Sequence, residues 1–250
     1  MVTLHFNGNL VDLLPRQFIK DSLVRFDLQR QTSVKDLIES FGVPHPEIEK
    51  ILIDGAETGF GAAVHPHAEI EIFPISSASD FLSPSLLRPD PLVDFRFIVD
   101  VNVGKLGVKL RHLGFDTLFS ESLGDPRIAA IAGCRRRILL TRDRNLLKRK
   151  VVDFGHLVRG KRPSDQIVEV IRLYGLRNKI NPCSRCLLCN GLLYAARKED
   201  VLGALEPLTK KYYTVFHQCE GCGKIYWAGS HRDNMDRELR DILRRAARAI

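Results

Sequence analysis

The sequence predicts an α/β protein in two parts: a small β-plus-α segment and, after a linker, a segment with a parallel sheet that ends in a cysteine-rich module. Patterns typical of strands and helices alternate along residues 95–178, which favours a parallel sheet with crossover helices. Residues 77–94 contain three prolines and predict a linker after a first segment at 1–76. Residues 179–250 carry two Cys-x-x-Cys pairs and a basic C-terminal helix.

The composition is that of a globular protein without a membrane segment. Hydrophobic residues make up 44% of the chain and charged residues 27%, fractions that are ordinary for a globular domain. The sequence has no apolar run of about 18 residues and no charged-then-apolar signal pattern. We therefore expect a cytoplasmic protein with no membrane partner. In that reducing compartment, six cysteines favour metal binding over disulfides.

The charge is distributed unevenly along the chain. Residues 1–90 carry 7 Lys and Arg against 13 Asp and Glu, a balance of −6, whereas residues 91–250 carry 31 against 17, a balance of +14. A strongly basic segment is typical of proteins that bind a polyanion, and we expect RNA or another nucleic acid as the partner of this part. The alternative is that the charge serves solubility alone.

The first segment has the element pattern of a β-grasp fold. Ser33 as N-cap, Asp36 in the first turn and Gly42 after the last turn predict a short helix. Alternating apolar residues on both sides of this helix predict strands. The expected elements in order are strands at 2–6 and 23–28, a helix at 34–41, a strand at ILID and a strand at 68–73.

The second segment alternates between apolar strands and helices that end at glycine. The expected strands are FRFIV (95–99), FDTLF (115–119) and RILLT (137–141), and the expected helices lie at 104–113, from Pro126 onward and at 165–174. We expect Asp125 at the N-cap of the second of these helices. Cys134 lies in the apolar part of that helix, and we expect it to be buried.

Aspartates follow two of these strands directly. Asp100 comes after the first strand and Asp143 comes two residues after the third. Because the carboxyl ends of parallel strands share one edge of the sheet, we expect the two side chains to lie there together. Carboxylates at that edge can bind Mg²⁺ or Mn²⁺, and Asp125 is a candidate third carboxylate. The alternatives are that Asp125 and Asp143 only cap helices.

The two cysteine pairs predict a structural zinc site. Cys186/Cys189 and Cys219/Cys222 each place two thiolates two residues apart, with 29 residues between the pairs. Four thiolates leave no open position on the ion, so the site is structural and not catalytic. Cys183 also has ligand spacing to Cys186, so a 183/186 pair is an alternative at this stage.

Basic and aromatic residues near these sites are candidates for RNA contact. Arg142 belongs to a basic run near the proposed aspartate site, and His231 can contact phosphate or pack beside Trp227. Tyr226 and Trp227 can stack on bases or pack on the zinc module. The C-terminal helix at about 234–249 places apolar residues on one face and arginines on the rest.

The quoted segments carry a resemblance to a known family. VDVNVGKLGVKLRHLGFDT (99–117), RRILLTRDRNLL (136–147), RCLLCNGLL (185–193) and CEGCGKIYWAGSHRDNM (219–235) resemble the Mut-seven C-terminal RNase family, a PIN-like nuclease domain with an attached zinc ribbon. The resemblance implies an acidic site of Asp100, Asp125 and Asp143 with Lys105 and Arg111 nearby. It also favours zinc on the 186/189 pair over 183/186.

The first segment resembles the ubiquitin-like sulfur carriers, in TSVKDLIESFGVPHPEI and EIEIFPI. Those carriers work through a free C-terminal Gly-Gly, whereas here the last strand runs on into Pro74, Ile75 and Ser76. We therefore expect this segment to dock a protein partner and not to carry sulfur.

Three functions compete at this stage. The preferred one is a divalent-metal-dependent ribonuclease with structural zinc. The second is a non-catalytic protein that binds tRNA or rRNA and retains the nuclease fold, and the third is an interaction protein whose β-grasp domain recruits a partner.

Overall fold

The computed structural model describes residues 1–18, 22–227 and 230–247, with side chains in the last range from residue 237 onward. The chain divides into two compact units. The first unit comprises residues 1–102 and 120–159, and the second comprises residues 103–119 and 160–250. Among the described residues, no helix is long and apolar enough to cross a membrane.

The first unit contains a five-stranded sheet, which confirms the predicted β-grasp fold and adds one short strand, β4, to the four that the sequence predicts. Its elements are β1 (Val2–Phe6), β2 (Leu23–Phe26), α1 (Val34–Ser40), β3 (Ile48–Ile53), β4 (Ala56–Glu57) and β5 (Glu69–Pro74). The strand order is β2-β1-β5-β3-β4, with β1 and β5 parallel. Ser33 caps α1 by accepting a hydrogen bond from the Asp36 N–H at 3.1 Å, and Gly42 ends the helix with φ +92°. Both helix signals in the sequence are therefore confirmed.

The alternating segment forms the next eight elements. They are β6 (Phe97–Val99), α2 (Gly104–His112), β7 (Thr117–Leu118), α3 (Asp125–Cys134), β8 (Ile138–Thr141), α4 (Arg144–Leu147), β9 (Gly155–Leu157) and α5 (Pro163–Leu173). In the first unit, β8 pairs in parallel with both β6 and β9, which confirms the predicted parallel sheet. Strands β6 and β8 are buried along their whole length, in keeping with their continuous apolar sequences.

One burial prediction in this segment is wrong. Cys134 is exposed, although the helix around it is apolar. The buried face of α3 consists of Ile128, Ala129 and Ala132. Cys134 is the last residue of the helix and lies two positions after Ala132, about 200° around the helix axis, so it points away from the core.

The second unit ends in a small antiparallel sheet and a long helix. Its further elements are β10 (Leu193–Ala196), α6 (Lys198–Val201), α7 (Pro207–Tyr212), β11 (Phe216–Cys219), β12 (Ile225–Trp227) and α8 (Ser230–Ala247). The sheet has the order β10-β11-β12, and Phe216 of β11 forms a small core with Val201 and Leu205. Helix α8 buries Ile242 and is anchored by an ion pair of Arg245 with Asp165 at 2.6 Å.

Candidate aspartate site and cysteine metal centre

Asp100 and Asp143 lie at the carboxyl edge of the parallel sheet. Asp100 directly follows β6, and its N–H donates to the Leu140 carbonyl of the neighbouring strand β8 at 3.3 Å. Asp143 lies two residues beyond the end of β8 and is the N-cap of α4, where its side chain accepts from the Asn145 N–H at 2.7 Å. The two predicted residues therefore follow adjacent parallel strands and lie at the same edge of the sheet.

Thr141 links the two aspartates. Its hydroxyl donates to Asp100 Oδ2 and accepts from the Asp143 N–H at 2.9 Å, and the residue is fully buried. Asn102 donates its backbone N–H to the other oxygen of the same carboxylate and its Nδ2 to Asp100 Oδ2 at 3.3 Å. The Asp100 side chain is only 3% exposed. Its orientation is thus fixed by hydrogen bonds on both oxygens.

Thr141 was not predicted from the sequence. The available signal was a threonine at the end of the apolar strand ILLT, one residue before the Arg-Asp dipeptide that carries the second carboxylate. A buried hydroxyl needs hydrogen-bond partners. The sequence places Asp100 and Asp143 at the same edge of the sheet, so these two residues were the expected partners.

Asp125 is not at the N-cap of α3, where the sequence predicts it. Gly124 is the N-cap of α3, and Asp125 is the first helical residue, exposed to solvent. A carboxylate in the first turn is still favourable there because of the helix dipole. Among the described residues, Asp100, Asp125 and Asp143 do not form a set whose ligand atoms all lie within 4.8 Å of one another.

The remaining predicted substrate contacts have different surroundings. Arg142 and Lys105 are both exposed. His231 falls within α8, but its side chain lies outside the described residues. Arg111 is 4% exposed and donates to three backbone carbonyls, so its guanidinium is not available to a substrate here.

The four cysteines of the two predicted pairs form one compact group. Their sulfur atoms all lie within 4.8 Å of one another, with 3.6 Å between Cys186 and Cys222 and 3.3 Å between Cys189 and Cys219. A zinc–sulfur bond of about 2.3 Å in a tetrahedral site puts sulfurs about 3.8 Å apart, so the group fits a zinc ion. Cys183 is not a member of this group, which favours the 186/189 pair over the 183/186 pair.

Backbone geometry brings the cysteines this close. A Cβ on Gly191 would lie 2.9 Å from Cys219 Sγ, so only glycine fits at this position. Asn190 and Gly223 adopt left-handed backbone conformations with φ of +71° each, which turn the chain at the two knuckles.

Tyr226 packs against the cysteine group. Its hydroxyl lies 3.0 Å from Cys186 Sγ and accepts from the Leu187 N–H at 3.0 Å. Burial by itself raises the pKa of the Cys186 thiol, but the hydrogen bonds from Tyr226 and from backbone N–H groups of the knuckle lower that pKa to about 6. The thiolate is the form that binds zinc. Of the two aromatic candidates for base stacking, only Trp227 is exposed, at 40%.

Arg111 and Asn190 join the first knuckle to α2 and β7. Arg111 donates to the carbonyls of Leu187 and Leu188 at 3.0 and 2.9 Å, and to that of Thr117 at 2.9 Å. The Asn190 side chain accepts from the Thr117 N–H at 2.9 Å and donates to Asp116 at 2.8 Å. We therefore assign Arg111 to the support of the knuckle and not to substrate binding.

Two family models match the chain. The Mut7-C RNAse domain matches residues 95–239, and the Mut7-C ubiquitin domain matches residues 1–80. The comparisons found no significant match among curated proteins or among solved structures.

Proposed function

Because the match covers more than half of its residues, the chain belongs to the Mut7-C RNAse domain family, and we propose that it is a divalent-metal-dependent ribonuclease. Membership supports a nuclease-type function in general. The metal-dependent mechanism is supported by one observation: at the carboxyl edge of the parallel sheet the Thr141 hydroxyl bonds to the Asp100 carboxylate and to the backbone N–H of Asp143.

The two carboxylates are the proposed ligands for Mg²⁺ or Mn²⁺, with Asp125 as a candidate third acidic residue. When bound, such an ion generates a better nucleophile from its water and neutralises charge on the phosphodiester in the transition state. Thr141 and Asn102 hold the Asp100 carboxylate in one orientation. Fixed ligands avoid reorganisation as the reaction proceeds.

RNA is the proposed substrate because residues 91–250 carry the net charge of +14. Lys105 and Arg142 are exposed cations that we assign to phosphate contacts, and we assign His231 to the same role on its sequence position. The proposed zinc ion on the four cysteines is structural. Because the cytoplasm keeps thiols reduced, a site made of four cysteine thiolates is consistent with the proposed cytoplasmic location. A protein partner of the ubiquitin-like domain remains part of the proposal.

One observation favours the second function, a non-catalytic RNA-binding protein. The three aspartates do not form a compact three-ligand group among the described residues. A chain that binds RNA through its basic surface without cleaving it would need no such group.

The two functions differ in RNA cleavage with Mg²⁺ or Mn²⁺. We expect the full-length protein to cleave RNA, and we expect Asp100→Asn and Asp143→Asn each to reduce the rate by more than about 100-fold, the upper range for residues that only support a metal ligand. Asp153→Asn serves as the matched control, because it removes the same charge from an exposed position in the same unit. RNA binding without cleavage in either metal would favour the second function, and cleavage that survives both substitutions would exclude the proposed site.

A further inference from the structure

The ubiquitin-like domain joins the parallel sheet through a buried carboxylate. Glu47 is 1% exposed, and its side chain accepts from the Leu157 N–H at 2.6 Å and from Arg159 at 3.3 Å. His156 Nδ1 lies 2.8 Å from the same carboxylate. Burial by itself raises the pKa of Glu47, but His156, the Leu157 N–H and Arg159 hold that pKa below its usual value. A buried carboxylate is strongly destabilising without such partners, so we treat this contact as a fixed part of the unit.

The linker adds a second buried link between the same parts. Arg88 is 6% exposed and donates to the carbonyls of Pro46 and Ile48 at 3.0 and 2.8 Å. Its Nε donates to the Asp153 carbonyl, which precedes β9, at 3.4 Å. The ubiquitin-like domain is therefore packed on the sheet and not tethered to it by a free linker.

A further set of contacts reaches the helix that begins after Asp143. Arg144 Nη1 donates to the Leu13 carbonyl at 2.7 Å, and Lys148 Nζ donates to the Glu39 carbonyl at 2.6 Å. The Glu39 carbonyl lies in the last turn of α1, the end at which the helix dipole favours cations. The ubiquitin-like domain thus holds α4 at both of its ends.

Gly42 leaves room for the Arg144 side chain. A Cβ at this position would lie 3.4 Å from Arg144 Nη1 and 3.2 Å from the Leu13 oxygen. The glycine that ends α1 therefore also accommodates the cation from α4.

We propose that the ubiquitin-like domain acts within its own chain as the positioning element of α4, and through α4 of Asp143. This inference rests on the proposed function, because it takes Asp143 as a metal ligand. The contacts fix the backbone of α4, whose first turn bonds to the Asp143 side chain. They also engage two cations, Arg144 and Lys148, with backbone carbonyls of the ubiquitin-like domain.

The test compares two double variants of the full-length protein that remove equal charge from the same stretch of chain. R144M/K148M removes both tethers, whereas R149M/K150M removes two exposed cations and leaves the tethers intact. For R144M/K148M we expect faster amide hydrogen exchange at residues 145–148, a higher Mg²⁺ concentration for half-maximal activity, and a kcat lower by about 10- to 100-fold. We expect its KM and the salt dependence of its RNA affinity to match those of the wild type.

R149M/K150M should behave differently. We expect wild-type hydrogen exchange at residues 145–148 and a smaller salt dependence of RNA affinity, by about 0.7 in slope for each phosphate that the variant no longer neutralises. A smaller salt slope in R144M/K148M, or equal hydrogen exchange in the two double variants, would overturn the inference. If R144M/K148M does not fold, Arg144→Met and Lys148→Met are measured singly by the same criteria.

The hydrogen-exchange result decides the inference even if the wild type does not cleave RNA. Faster exchange at residues 145–148 in R144M/K148M alone would support the positioning role while the proposed ribonuclease function fails. Unchanged exchange there would overturn the positioning role whatever the activity.

Discussion

Replacement of Thr141 by valine tests whether the bridge between the two aspartates matters for metal binding. Valine has nearly the same shape as threonine but lacks the hydroxyl that donates to Asp100 and accepts from the Asp143 N–H. A hydrogen bond to a charged group contributes about 1.5–3 kcal/mol, and a buried donor left without a partner costs about 1–3 kcal/mol. The Asp143 N–H is only partly buried, so the expected loss of stability is about 2–4 kcal/mol in total.

Two assays follow from this magnitude. For a chain of this length, thermal unfolding should shift down by about 5–15 °C. Because Thr141 supports a proposed metal ligand without touching the ion, the Mg²⁺ affinity or the cleavage rate should fall by about 10- to 100-fold. Isothermal titration with Mg²⁺ or Mn²⁺ measures the affinity without any need for cleavage.

Thr141→Ser is the matched control. It retains the hydroxyl and removes one methyl group, which should cost about 1 kcal/mol. We expect its metal affinity to stay within about twofold of the wild type. The bridging role is refuted if Thr141→Val binds metal and cleaves RNA as the wild type does while Asp100→Asn does neither.

Two further predictions concern Arg111 and His45. Arg111→Met removes the donor to two carbonyls of the first zinc knuckle, and we expect zinc affinity to fall by about 10- to 100-fold, measured by competition with a chromophoric chelator. Lys105→Met, which changes an exposed residue, is the control. Equal zinc affinity in the two variants would contradict the role assigned to Arg111. Burial holds the pKa of His45 below 6.5 despite its hydrogen bond to Glu39. The unfolded chain therefore takes up this proton first as the pH falls, and stability decreases on acidification from about pH 6.5 downward. We expect His45→Gln to reduce the drop in melting temperature between about pH 7.5 and 5.5, and an unchanged drop would contradict the assignment of this pH dependence to His45. The exposed His65 is the control. A hydrogen bond to the Pro66 carbonyl and the Asp54 carboxylate raise the pKa of His65, so replacing His65 should not reduce the drop.

The fold was predictable because its elements have short-range signals. The helix α1 has a capping serine, an acidic first turn and a terminal glycine, and each signal acts within a few residues. The buried strands β6 and β8 are continuous apolar runs, which is typical of a parallel sheet. The N-cap of α3 was misassigned by one residue because glycine and aspartate are both common at that position, so the Gly-Asp-Pro sequence fits either register.

The site was predictable only in part, because the role of a cation depends on what lies opposite it in space. By sequence, Arg111 is expected near the acidic site, and Arg144 and Lys148 belong to the same basic run as Arg142, a pattern typical of polyanion binding. In the structure each of the three donates to backbone carbonyls. The acceptor lies 6 positions along the chain for one bond of Arg111 and 131 positions along it for the bond of Arg144. Backbone acceptors of this kind cannot be recognised in the sequence, because every residue has a backbone carbonyl.

Backbone acceptors of this kind also change how the basic charge of the chain relates to RNA. The number of Lys and Arg residues overestimates the number of phosphate contacts, because a cation held by carbonyls neutralises no phosphate and so displaces no counterion from the RNA. Arg144 follows Asp143 directly and Lys148 lies at the other end of α4, yet both bond to carbonyls of the ubiquitin-like domain. The acidic first segment and the basic second segment are therefore not simply a partner-binding part and an RNA-binding part. Part of the positive charge near the proposed active site is thus bonded to backbone carbonyls of the ubiquitin-like domain, where our inference gives it the role of positioning Asp143.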